Sequence, residues 1–122
     1  MLVQSTAYFE YKAAREKLKD DPDNALAKFQ VGSYLCLYRN AWDQGLAMTA
    51  DCSDTAWAQA AKAELAAPVS PADMMKTADG WFDLGGNRES LRGRIWTRAE
   101  FWYNLVLPNV EGVLQKKVEK RL

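Results

Sequence analysis

Four arginines that lie close together in the chain are the side chains best suited to bind an anion. A guanidinium fork matches the geometry of a phosphate or a carboxylate, so the cluster marks a candidate binding site. The whole chain, however, carries 16 basic and 16 acidic side chains. We therefore expect internal ion pairs, keep Arg88 and Arg92 as candidate binding residues and predict no nucleic-acid partner. The cluster comprises Arg88, Arg92, Arg94 and Arg98, with Glu89 and Glu100 beside it.

The residues that most often carry catalysis or hold a metal are scarce. The sequence has no histidine, the commonest general base and a common metal ligand, and its two cysteines cannot form a structural zinc site alone. Cys36 and Cys52 are expected about 15 Å apart on helical geometry, which exceeds the reach of about 7 Å between disulfide-bonded Cα atoms. We predict two free thiols, with Cys36 buried and Cys52 more exposed. We also predict no catalytic residue, no metal and no cofactor, and hence a protein that is not an enzyme.

Two pairs of carboxylates stand four residues apart, at the spacing that places both on one face of a helix. They are Asp79 with Asp83 and Glu16 with Asp20. Such pairs could serve as acid and base or bind a hard cation. Nothing in the sequence marks a cleft around either pair, so we predict solvated helix faces.

Five tryptophans offer a second kind of chemistry, because a flat aromatic face can stack on the apolar face of a sugar. Trp42, Trp81 and Trp102 fall on the apolar stripes of their helices, so we expect them in the core. Trp57 and Trp96 are the two that we expect at the surface, and they are therefore candidate binding residues. They are the basis of an alternative function, an auxiliary carbohydrate-binding module.

The composition predicts that these side chains are positioned by helices. Alanine, leucine and methionine total 35 residues against 8 valine plus isoleucine, a ratio that favours helix. No apolar run approaches the roughly 18 residues of a membrane-spanning helix, so we predict no membrane partner. Turn signals divide the chain into about seven helices, joined by short loops that favour antiparallel hairpins. The predicted helices start near Ser5 or Thr6 and near residues 25, 41, 55, 71, 90 and 110.

Several residues mark where these helices begin and where they approach each other. Ser70, followed by Pro71 and Asp73, is the clearest predicted helix start, and Gly85-Gly86 predicts a helix end. Gly32 and Gly85 are expected at close helix crossings. In the last helix we expect Val113, Leu114 and Val118 to face inward. Its cations are expected to offset the negative end of the helix dipole, and they are Lys116, Lys117, Lys120 and Arg121.

Short motifs between Pro22 and the end of the chain resemble a known class of helical module. They include Gly32-x-Tyr34-x-Cys36, Trp42-x-x-Gly45-Leu46, Ala78-Asp79-Gly80-Trp81-Phe82-Asp83-Leu84, Arg98-Ala99-x-x-Trp102-Tyr103 and Leu107-Pro108-Asn109-Val110-x-Gly112. The chain resembles the tetratricopeptide (TPR)-like helical module of multi-domain planctomycete bacterial proteins, without a strict 34-residue period. The resemblance implies one domain over residues 1–122 of a larger protein. It implies an interaction or scaffold module that binds a peptide, a neighbouring domain or a copy of itself.

Overall fold

The computed structural model describes the backbone of residues 2–122 and the side chains of residues 6–122. Seven α-helices and no β-strand occur in this part of the chain, which confirms the predicted all-α class. No helix in it is both long enough and apolar enough to cross a bilayer. Contacts divide the chain into two compact units, Met1–Leu65 and Ala66–Leu122. The helices are α1 (Leu2–Asp20), α2 (Ala25–Arg39), α3 (Trp42–Thr49), α4 (Thr55–Leu65), α5 (Pro71–Gly86), α6 (Arg92–Val106) and α7 (Gly112–Arg121).

Helix boundaries in the first unit follow local capping chemistry. The Asn24 side chain accepts a 2.9 Å hydrogen bond from the backbone N–H of Ala27. The Asp54 side chain accepts a 3.1 Å hydrogen bond from the backbone N–H of Trp57. Each bond satisfies an amide that the first turn of a helix leaves unpaired. The predicted start of α1 is wrong, since α1 already begins at Leu2; the Ser5 side chain lies outside the described residues.

Aromatic stacking joins α1 to α2. Tyr34 stacks on Tyr11 at 4.3 Å between ring centroids and on Tyr38 at 5.0 Å. The Arg39 guanidinium lies over both Tyr11 and Tyr34, at 5.8 and 5.4 Å from their centroids. Stacked rings and a cation over them each add to the stabilisation from burial alone.

Helices α2 and α3 form an antiparallel hairpin that depends on two glycines. A Cβ atom on Gly32 would lie 2.4 Å from Thr49 Cγ2, and one on Gly45 would lie 2.3 Å from Cys36 Sγ. Both distances are far below van der Waals contact, so the two backbones touch where side chains are absent. This confirms the predicted close crossing at Gly32.

The second unit is built on the hairpin of α5 and α6. Ser70 caps α5 as predicted, accepting a 3.1 Å hydrogen bond from the backbone N–H of Asp73. Gly85 lies where α5 meets α6, because a Cβ there would be 2.5 Å from Trp96 Cδ1. Helix α5 ends at Gly86, within the predicted Gly85-Gly86 pair, although the C-cap is Asn87 rather than a glycine.

Helix α7 turns a different face inward than the sequence pattern predicts. Val118 is fully buried, as expected. Val113 is 84% exposed and Leu114 is 49% exposed, so the prediction that they face inward is wrong. One apolar anchor suffices for this short helix because polar contacts, described below, hold its other side.

Candidate functional site

The arginine cluster does not form an open anion site. Arg92 donates hydrogen bonds to the backbone carbonyls of Gly85 (3.3 Å, from Nε) and Gly86 (2.9 Å), the unpaired acceptors at the end of α5. The Arg98 guanidinium lies 4.3 Å from the centroid of the Phe101 ring. Arg88 and Arg94 also have interaction partners. Arg92 therefore has a structural task, which is to cap α5.

Trp57 lies in the core, and the expectation that it is at the surface is wrong. Its relative exposure is 0%, and its indole Nε1 donates a 2.9 Å hydrogen bond to the Thr49 hydroxyl. The edge of the indole packs on Phe29, with 5.8 Å between ring centroids. The neighbouring buried residues of α4 are small, namely Ala58, Ala60 and Ala61. No face of Trp57 is free to stack on a sugar.

Trp96 is half-buried rather than a free platform. Its ring stacks on Phe82 at 4.8 Å with an interplanar angle of 4°, and its Nε1 donates a 2.8 Å hydrogen bond to the Phe82 carbonyl. The Arg92 guanidinium lies over the same ring at 5.6 Å. Of the tryptophans expected in the core, Trp81 and Trp102 are buried. Trp42 is only half-buried, and it donates a hydrogen bond to the Asn40 side chain.

The two cysteines are free thiols, as predicted. Cys36 is 1% exposed and Cys52 is 8% exposed, so both are buried and Cys52 is the more exposed of the two, as predicted. Burial raises the pKa of the Cys52 thiol, and its Sγ lies 3.5 Å from the Asp54 carbonyl oxygen, within hydrogen-bond range for sulfur. Buried cysteines are typically unreactive, because burial disfavours the thiolate that acts as nucleophile.

Asp79 is the centre of a polar cluster, not part of a solvated face as the sequence predicts. It accepts hydrogen bonds from the Tyr103 hydroxyl, from Lys117 Nζ at 3.0 Å and from Arg121 at 2.9 Å. Arg121 also donates to the Tyr103 hydroxyl oxygen, at 2.9 Å. One carboxylate therefore joins α5, α6 and α7. The other predicted pair differs, because Glu16 is exposed and bonds Lys19 on the same helix.

The cluster keeps the Tyr103 phenol protonated. Burial raises the pKa of Tyr103 well above its ordinary value of 10.0, and the hydrogen bond to Asp79 raises it further. A phenol in this state is a donor and a poor general base near neutrality. The arrangement therefore fixes α7 against the hairpin of α5 and α6.

A groove of about 620 Å³ opens beside this cluster. Phe82 from α5 forms its aromatic part, and the Arg121 guanidinium lies over that ring at 4.2 Å from the centroid. The remaining lining comes from one face of α7. Those residues are Val113, Lys116, Lys117, Lys120 and Arg121.

The cations of the groove fall into two rows. Lys117 and Arg121 turn toward Asp79 and are paired with it. Lys116 and Lys120 are exposed and have no ion-pair partner among residues 6–122, the part of the chain with described side chains. Four residues apart on a helix, they lie on the same face. The groove thus offers two uncompensated ammonium groups beside an apolar floor.

Sequence reasoning missed this groove although a signal for it exists. Positions 113, 116, 117, 120 and 121 have the i, i+3, i+4, i+7, i+8 spacing of a single helix face. The helix dipole accounts for the charge of the four cations among them but not for their common face.

Comparison of the chain with protein-family models, with curated proteins and with solved structures found no match. Within the described residues, no group of three or more cysteine and carboxylate side chains is arranged to hold a metal ion. The groove beside α7 is the candidate functional site.

Proposed function

We propose that the chain is a non-catalytic, TPR-like interaction module that binds a protein segment in the groove beside α7. The segment belongs to another protein or to a neighbouring domain. The observation that carries the proposal is the exposed part of the α7 face that lines the groove. Val113 is 84% exposed in the groove, next to Lys116 and Lys120. Exposed apolar surface rimmed by polar groups is typical of interaction sites.

The architecture supports the same proposal. Antiparallel helical hairpins, as in α2–α3 and α5–α6, are the units from which TPR-like modules are built. A helix face beside a groove can receive an extended or helical peptide. We do not propose the alternative carbohydrate function, because Trp57 is buried and Trp96 is stacked on Phe82.

Selection from a random peptide display library against the full chain tests this proposal. We expect enriched peptides that bind the wild-type chain and lose binding to Val113→Asp. The fold should tolerate that change because Val113 is exposed. Circular dichroism checks that it does.

The matched control is Val69→Asp, which makes the same change at a valine that is also 84% exposed and does not line the groove, and it should retain binding. The proposal fails if no peptide is enriched, or if the enriched peptides bind Val113→Asp as tightly as the wild type.

A further inference from the structure

We infer that the segment bound in the groove is acidic, with carboxylates paired to Lys116 and Lys120 and an apolar side chain packed on Val113. This inference rests on the proposed function and adds the chemistry of the partner. The positive charge of the groove and its apolar surface support this inference.

Charge complementarity selects the acidic partner. Lys117 and Arg121 are both paired with the single carboxylate of Asp79, at 3.0 and 2.9 Å, so one positive charge remains on these three groups. Lys116 and Lys120 have no such partner within the described residues, so their positive charge faces the groove and the solvent. A basic segment would be repelled there, and a carboxylate would be attracted at long range and paired on contact.

The spacing of the two lysines suits two carboxylates on one segment. Side chains four apart on a helix have Cβ atoms about 5–6 Å from each other. Acidic residues at alternate positions of an extended chain are separated by about 6.6 Å, from a rise of about 3.3 Å per residue. Two such carboxylates can therefore meet both lysines at once.

The apolar floor favours a protein segment over a nucleic acid. Phe82 is half-buried under the Arg121 guanidinium, and Val113 beside it is almost fully exposed. A leucine-like side chain packed on Val113 would leave water, whereas a phosphate backbone offers nothing to bury there. Residues 66–122 carry 9 basic and 7 acidic side chains, a net charge of +2, which is a weak field for a polyanion.

Fluorescence anisotropy with defined probes tests the inference on the full chain. The first probe is a labelled synthetic peptide of alternating glutamate and leucine. Three comparison probes are used. In one peptide lysine takes the place of glutamate, in a second peptide serine takes the place of leucine, and the third probe is single-stranded DNA of similar length. We expect the glutamate–leucine peptide to bind most tightly, with affinity that falls as salt rises. The serine peptide should bind at least about tenfold more weakly, and the lysine peptide should not bind.

Charge-reversed variants locate the binding. Lys116→Glu/Lys120→Glu should lower the affinity for the glutamate–leucine peptide at least about tenfold. Lys12→Glu/Lys62→Glu, which changes the net charge equally, should leave its affinity within about twofold at moderate salt, where distant charges are screened. Both pairs lie at exposed positions, and circular dichroism confirms that each variant folds.

Several results would overturn the inference. The inference fails if the glutamate–leucine peptide does not bind, or if the lysine peptide binds equally well or DNA binds more tightly. It also fails if both double variants lose the same affinity for the glutamate–leucine peptide. If display selection yields neutral or basic peptides that still require Val113, the inference fails and the proposed function stands. If no selected peptide depends on Val113, the proposed function itself fails.

Discussion

Because α5 closely approaches α6, we expect glycine-to-alanine substitutions at two positions of α5 to have opposite effects on stability. A Cβ on Gly85 would lie 2.5 Å from Trp96 Cδ1 and 2.7 Å from its Nε1, so the indole would have to retreat by about 1 Å to regain normal contact. Overpacking of this kind costs about 1–3 kcal/mol, and losing the Nε1 hydrogen bond to Phe82 costs about 0.5–1.5 kcal/mol more. The gain in helix propensity offsets about 1 kcal/mol at most. Gly85→Ala should therefore lower the free energy of unfolding by about 1–3 kcal/mol.

Gly80 provides the matched control. A Cβ there meets nothing within 4 Å, so Gly80→Ala should gain only helix propensity and raise stability by about 0.5–1 kcal/mol. Both glycines lie in α5, and the comparison stays within one unit. Urea denaturation followed by circular dichroism measures both variants. If Gly85→Ala proves as stable as Gly80→Ala, the close crossing and the position of Trp96 are wrong.

Three further predictions follow from buried groups. Trp57→Ala deletes a fully buried indole and its hydrogen bond to Thr49. Urea denaturation should therefore show that the free energy of unfolding falls by about 3–5 kcal/mol. A fall of less than about 0.5 kcal/mol would contradict the burial of Trp57. The folded pKa of Tyr103 lies above its ordinary value of 10.0, so stability is fully present below that pH and falls above it. Denaturation on both sides of pH 10.0 should show a shallower fall for Tyr103→Phe, and equal slopes would refute the role of the phenol. Because Cys36 and Cys52 are both buried, a thiol reagent should label neither quickly before urea unfolds the chain; one fast thiol in the native protein would refute this.

The sequence predicted the helices well because their boundaries depend on local chemistry. Asn24 and Ser70 accept hydrogen bonds from amides three residues ahead, so the pattern of residue types is enough to place the caps. Gly32 and Gly85 were identified as close crossings because only glycine allows such an approach. These features can be deduced without knowing which helices are neighbours.

The candidate site could not be predicted because its contacts join residues that are far apart in the chain. Asp79 contacts Tyr103, Lys117 and Arg121, which are 24, 38 and 42 residues away. An i, i+4 pair of carboxylates looks solvated unless these partners are known.

Two helix faces were also misassigned. The buried positions of α4 follow helical periodicity, at Trp57, Ala60, Ala61 and Glu64, but all except Trp57 are alanine or charged, so the pattern is a weak signal for the burial of Trp57. Helix α7 could bury either Val113 or Val118, and the pairing of Lys117 and Arg121 with Asp79 accompanies the burial of Val118.

Mapping amide chemical shifts by nuclear magnetic resonance tests the binding groove most directly. The isotope-labelled chain is titrated with the peptide most enriched by display selection. We expect the largest shift changes at Phe82 and along residues 113–121, the lining of the groove and the helix that carries it. Changes concentrated in α1–α4, or spread evenly over the chain, would contradict the assignment of α7 as the binding face.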